Sequence, residues 1–294
     1  TTVRCVVGHV DPATGTPTIV GVGQALNSGM RKGTVVNLAG PAHAIDQALG
    51  EAERMSGYEV NEATISVNGS HILSTKADGM IAVGMADHEI NDEDLHRLEE
   101  VATTGKVPAN REILEVVPFS YILDGQGGIK DPIGMIGVRL EVETLIIQGL
   151  SSQIKNLTKA IFRTGLDIED LVLSPLAAAE SDIRPKKKEL GAALVNIGAS
   201  TTSLAVFEEG ELLHTAVIPI GSEHITADVA ICLRCPINLA DRIKIEYGSA
   251  LPDNFSKKDE IDISEIAKEE DAQDEVNTIS RRYLAEIIEA RVEE

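Results

Sequence analysis

Gly198, Ala199, Ser200, Thr201 and Thr202 are the residues of this chain whose types and spacing best suit chemistry. They form a turn of glycine and small hydroxyl residues between an apolar run that stops at Asn196 and one that resumes over 204–207. Such a turn lets successive backbone N–H groups converge on an anion, because little side chain stands in the way, and the Ser and Thr hydroxyls add donors. A second strand, 212–218, leads to Gly221 and Ser222 at the start of a helix. A helix start is another place where N–H groups meet an anion. A turn of this kind also serves as a plain hairpin connection. Its repetition a short distance downstream points to the phosphates of a nucleotide.

Other candidate chemistry is weaker. Cys232 and Cys235 have C-x-x-C spacing, but there is no second pair and Pro236 follows, so they read as small apolar residues near a helix end. The 7 histidines stand singly, without a metal-binding grouping. Lys186, Lys187 and Lys188 after Pro185 read as a solvated loop. With 26 Lys and Arg against 47 Asp and Glu the net charge is −21, which would repel a nucleic-acid backbone. Only 3 cysteines rule out a disulfide framework, and a reducing cytoplasm is the expected compartment. No apolar run is long enough to span a bilayer. Thr1 is not an initiator methionine and no signal-peptide pattern follows, so the chain is expected to begin partway through a longer protein.

The elements that must position the turn follow from periodicity. The first seventy residues or so alternate strand and helix, with a hairpin of 3–10 and 18–24 around residues 12–15. Ile45, Ala48, Leu49, Ala52 and Met55 mark a helix, and 63–68 a further strand. A different unit follows: a strand at 80–85, a helix capped by Asn91 or Asp92 with Leu95, Leu98 and Ala102 inward, and strands at 112–123 and 137–147 separated by a loop at 124–134. Ile154, Leu157 and Ile161 then mark a helix, 171–173 a short strand, and Ser174 and Pro175 a helix start. The stretch after Pro185 is expected to act as an interdomain hinge. A helix spans 240–247, residues 257–274 read as a mostly solvated polar segment, and 279–292 as a charged helix.

An ordered set of motifs carries a resemblance: the strand-turn-strand phosphate loop, the S-P-L-A-A-A helix start, I-G-S-x-x-I-T-x-D and D-R-I-K-I-E-Y-G. The set resembles the superfamily of actin, sugar kinases and heat-shock chaperones. Within it the segments GMIAVGMADHEINDEDLHRL, EVVPFSYILDGQGGIKDPIGMIGVRLEVE and EEGELLHTAVIPIGSEHIT look like the FtsA family of bacterial cell-division proteins, over nearly the whole chain. The resemblance implies an α/β, actin-like (ribonuclease H-like) two-lobed fold with an inserted strand-helix-strand-strand module. Lobe I would comprise 1–72 and 149–190, the inserted module 73–148, and lobe II 191–236 and 237–294. It implies ATP with Mg2+ in the cleft, and a scaffold that polymerises into filaments and tethers FtsZ to the cytoplasmic face of the cell membrane at the division septum. Other readings are an actin-superfamily ATPase and a pilus-assembly actin-like protein.

Carried over by position, the family's second phosphate loop falls on Asn196, Gly198, Ala199, Ser200, Thr201 and Thr202. Gly221 and Ser222 match the glycine pair beside phosphates and ribose, and Asp241, Arg242 and Lys244 match the positions that approach the nucleoside. Two departures concern hydrolysis. Asn196 replaces the usual aspartate, so a neutral amide stands where a carboxylate holds a metal-bound water. Ser174 stands where hydrolases of the superfamily have a glutamate, and serine is no general base unless another base activates it. The resemblance further implies that the opening phosphate loop, the late adenine loop and the terminal amphipathic membrane helix lie outside this chain. The helix at 279–292 is too rich in glutamate to serve as that anchor.

Overall fold

Strands β1 (Thr2–Val10) and β2 (Pro17–Leu26) form the expected antiparallel hairpin. Helix α1 (Ala39–Ser56) lies on it with Ala44 and Ala48 buried against Ala25. The approach is close enough that a Cβ at Gly23 would stand 1.8 Å from the Ala48 carbonyl oxygen, so only glycine fits. These residues belong to a computed structural model that describes residues 2–84, 88–270 and 278–294. Between β2 and α1 lies a small hairpin, β3 (Met30–Arg31) and β4 (Thr34–Val35). Strand β5 (Glu62–Val67) pairs in parallel with a later strand, β10 (Asp167–Leu173), which is longer than the three residues expected from the sequence.

The segment between them forms a four-stranded sheet. Strand β6 (Leu73–Ala82) begins earlier than the expected 80–85, and residue 85 of that expectation lies outside the described residues. Helix α2 (Asp92–Thr103) is capped as expected by Asn91, whose side chain accepts from the Glu93 and Asp94 amides. Strands β7 (Arg111–Leu123), β8 (Gln126–Ile129) and β9 (Arg139–Leu150) complete the sheet in the order β6-β9-β7-β8. Part of the expected loop at 124–134 is therefore the strand β8. Leu98, Ala102, Leu140 and Val142 form the core under α2.

Helix α3 (Ser151–Phe162) leads back to β10, then come α4 (Ser174–Asp182) and α5 (Pro185–Leu190). The lysine run is thus helical and not a loop. Lys186 and Lys187 are exposed, but Lys188 is buried: its ammonium meets Glu180 at 2.5 Å and lies 4.9 Å from the centre of the Phe207 ring. Strands β11 (Ala192–Ile197), β12 (Thr202–Glu208) and β13 (Glu211–Ile218) form a sheet in that order. Ala205, Phe207 and Leu212 of this sheet share a core with Val67, Leu145, Ile147 and Leu173.

The remainder is helical: α6 (Ser222–Leu233), α7 (Ile237–Tyr247), α8 (Ser264–Glu269) and α9 (Arg281–Glu293), with a two-stranded ribbon of β14 (Glu260–Asp262) and β15 (Thr278–Ser280). The expectation of a solvated segment at 257–274 is corrected here for its described part. Ile261, Ile263, Ile266 and Ala267 are buried with Ile243, Leu284 and Ile288 in one core, because apolar residues spaced among the charges face inward. Residues 271–274 of that expectation lie outside the described residues.

The chain forms two compact units: Thr1–Asn196 with Thr201–Pro219, and Ile197–Ser200 with Ile220–Glu294. The passages from one unit to the other therefore lie at 196–197, 200–201 and 219–220, away from the stretch after Pro185 that the sequence suggests as a hinge.

Candidate functional site

The turn between β11 and β12 is shared between the units by chain order. Asn196 is exposed one residue before the end of β11, Thr201 is buried, and Thr202 opens β12, all in the first unit. Gly198, Ala199 and Ser200 belong to the second unit, where they meet the start of α6. The Ser222 amide donates to the Gly198 carbonyl at 3.0 Å and the Glu223 amide to the Ala199 carbonyl at 2.7 Å. The Gly221 amide donates to Nδ1 of His224 at 3.2 Å. The N–H groups of Gly221, Ser222 and Glu223 are thus engaged within the chain, and α6 grips the turn in place of presenting those donors to an anion. This differs from the simple reading of two separate anion sites.

The grip has a consequence for the turn. A trans peptide is planar, and its N–H points opposite to its C=O. With the Gly198 and Ala199 carbonyls aimed at α6, the Ala199 and Ser200 amides point away from that helix, side by side. Two neighbouring amides held rigidly in one direction form an anion-binding concavity. The contact also explains Gly221. A Cβ there would stand 2.5 Å from the Gly198 oxygen and 2.6 Å from the Ala199 oxygen.

One turn further along α6, Thr226 is buried to 4% exposure. Its hydroxyl lies 3.3 Å from the Ser222 carbonyl and 2.9 Å from Oδ1 of Asp241, and accepts from Nζ of Lys244 at 2.7 Å. Lys244 also meets Asp241 Oδ1 at 2.7 Å. Asp241 and Lys244 are one turn apart on α7, so the packing of α6 on α7 joins them to Thr226. Arg242, expected to act with them, points elsewhere: it pairs with Glu246 at 3.0 Å, Glu269 at 2.5 Å and Glu270 at 3.6 Å. Those carboxylates, Glu269 first and then Glu246, raise its already high pKa. Thr226 was not among the residues singled out from the sequence. The signal was present without a role attached to it: Thr226 is the threonine of the motif I-G-S-x-x-I-T-x-D, four residues after Ser222.

The Lys244 hydrogen bond is the main cause that lowers the Asp241 carboxyl below its ordinary value; burial opposes it, and the Thr226 hydroxyl and the Lys244 charge add to the lowering. The stabilisation from this pair is present above the unfolded carboxyl value of about 3.9 and is lost as pH falls through the lower folded value. Asp241 is 47% exposed, so solvent screens much of the interaction. In an acid titration followed by circular dichroism, Asp241→Asn is expected to lose less stability than the parent chain below about pH 4. Superimposable curves would mean that the pair adds nothing to the folded state.

In the first unit, Ser174 Oγ lies 2.6 Å from Ser66 Oγ and donates to the Val67 carbonyl at 3.1 Å. A hydroxyl partner and a carbonyl do not make a serine basic. Glu180 on the same helix is taken by Lys188, and Asp182 is exposed. Among the described residues no group of three or more His, Cys, Asp or Glu side chains could hold a metal ion. No described helix is long and apolar enough to cross a membrane.

Comparison with known proteins identifies the family and the fold. Residues 69–148 match the family model "SHS2 domain inserted in FTSA", and residues 193–288 match "Cell division protein FtsA". The chain is 38% identical over 276 residues to cell division protein FtsA of Bacillus subtilis, covering 94% of this chain and 62% of that protein. It is 35% identical over 292 residues to that of Pseudomonas aeruginosa, covering 99% of this chain and 68% of that protein. It therefore spans somewhat under two thirds of the Bacillus relative's length. A solved structure titled PilM-PilN type IV pilus biogenesis complex superposes with a TM-score of 0.61 at 16% identity, covering 84% of this chain and 67% of that one. The fold is α/β and actin-like. The chain belongs to the FtsA family of cell-division proteins.

Proposed function

We propose that the chain is the nucleotide-binding part of a cell-division scaffold in which ATP is a structural ligand. The observation that carries this reading is the pair of amides at Ala199 and Ser200, aimed by the grip of α6, with Lys244 and Asp241 joined to the same helix through Thr226. Amides and the Lys244 ammonium suit polyphosphate, and the Asp241 carboxylate, whose Oδ1 also faces Thr226, suits ribose hydroxyls. Thr201, Thr202, Gly221 and Ser222 are further candidates by sequence position, and Arg242 serves as a structural cation of α7. Bound nucleotide shifts a conformational equilibrium by its differential affinity, without turnover. Slow or absent hydrolysis follows from Asn196 and Ser174, which supply no base.

In this reading lobe I comprises 1–72 and 149–190, and lobe II 191–236 and 237–294. The module at 73–148 carries self-association into filaments, and lobe II binds FtsZ. Together with segments that the longer relatives contain, the protein holds FtsZ at the cytoplasmic face of the membrane at the septum. Support comes from family membership and from the names of the relatives.

Calorimetric titration of ATP with magnesium into the chain tests the nucleotide reading. The expected result is one saturable site, weakened about tenfold or more in Lys244→Ala, with no phosphate release above buffer. Absence of a binding heat removes the nucleotide from the function, and rapid phosphate release makes the protein an ATPase with a base outside Ser174.

A further inference from the structure

We infer that Thr226 is a positioning residue that couples the phosphate end of the site to its nucleoside end; the inference rests on the nucleotide reading above. Its hydroxyl has two acceptors within reach, Asp241 Oδ1 at 2.9 Å and the Ser222 carbonyl at 3.3 Å, and one donor, Lys244 Nζ at 2.7 Å. A hydroxyl carries one proton, so it donates to one acceptor at a time. The shorter of the two contacts is the one to Asp241. A ribose hydroxyl that donates to Asp241 satisfies that oxygen and frees the Thr226 proton for the Ser222 carbonyl.

The Ser222 carbonyl sits in the first turn of α6. That turn is the one whose Ser222 and Glu223 amides hold the carbonyls of Gly198 and Ala199. A Thr226 proton directed to Ser222 therefore reinforces the segment that aims the Ala199 and Ser200 amides. Occupation of the nucleoside end stiffens the phosphate end, and the ligand class favoured is a nucleoside triphosphate over a bare polyphosphate. Burial makes the device effective: at 4% exposure no bulk water competes for the Thr226 hydroxyl.

The test compares the parent chain with Thr226→Val and Thr226→Ser, titrated with magnesium-ATP and with tripolyphosphate. Valine keeps the shape and removes the hydroxyl; serine restores the hydroxyl without the methyl group. Thr226→Val is expected to weaken ATP about tenfold to a hundredfold while tripolyphosphate affinity stays at the parent value, and Thr226→Ser to return ATP affinity toward the parent. ATP binding unchanged in the valine variant, equal weakening of both ligands, or no restoration by serine overturns the coupling and leaves the nucleotide reading standing. A parent chain that binds neither ligand overturns both.

Discussion

Gly221→Ala is expected to lower ATP affinity by more than about a hundredfold, the largest functional effect of any single methyl group in this chain. The backbone of Gly221 is extended, with φ of −163°, so alanine adopts the conformation without strain. The effect is steric alone. The added Cβ would stand 2.5 Å and 2.6 Å from two backbone oxygens that cannot rotate away, those of Gly198 and Ala199. Relief requires the turn to back off from α6, which breaks the hydrogen bonds from Ser222 and Glu223 and releases the aim of the Ala199 and Ser200 amides. Two hydrogen bonds to a charged phosphate, each worth roughly 1.5–3 kcal/mol, are then lost or weakened together. Overpacking also costs about 1–3 kcal/mol of stability, so an unfolding curve belongs beside the calorimetry. A folded Gly221→Ala chain with parent affinity would show that the turn does not receive the phosphates.

The largest effect on stability is expected at Ile243. Its side chain is fully buried among Leu239, Ile263, Leu284 and Ile288 in the second unit. Ile243→Ala removes three carbons from a packed interior and leaves a cavity, at a cost of roughly 2–5 kcal/mol. That is a large share of the stability of a typical domain, about 5–15 kcal/mol. The second unit has a core separate from those of the first. Hydrogen exchange is therefore expected to accelerate over residues 220–270 and 278–294 while the strands of the four-stranded sheet keep their protection. A loss below about 1 kcal/mol in urea would show that this core is loosely packed. The two variants are complementary, because Ile243 lies on the helix that carries Asp241 and Lys244, and Gly221 lies at the start of the helix it packs against.

Much of the local structure was legible from residue order. Two short apolar runs, one stopping at Asn196 and one resuming over 204–207, mark two strands, and only small residues occupy the turn between them. Asn91 ahead of an acidic first turn marks the start of α2, and the side chain caps it as the chemistry of asparagine demands. The family was legible for the same reason: its motifs are short runs whose composition is dictated by turns and helix starts.

What residue order determined, then, is where the strands and helices begin, which turn is small enough to receive an anion, and which carboxylates are missing from a hydrolytic site. Tertiary packing decided the rest. Whether the first amides of α6 meet an anion or the carbonyls of Gly198 and Ala199 depends on how two segments some twenty residues apart approach each other, and glycine at 221 permits either. Thr226 gains its role only because α6 and α7 pack so that residues 226 and 241 touch, 15 positions apart. Arg242 shares the spacing of Asp241 and Lys244 but faces Glu269, since one residue along a helix rotates a side chain by about 100°. The segment 257–270 carries enough charge to read as solvated, yet Ile261, Ile263 and Ile266 complete a core. Burial is a property of the partner surface, and that surface is assembled from parts of the chain that a local pattern does not see.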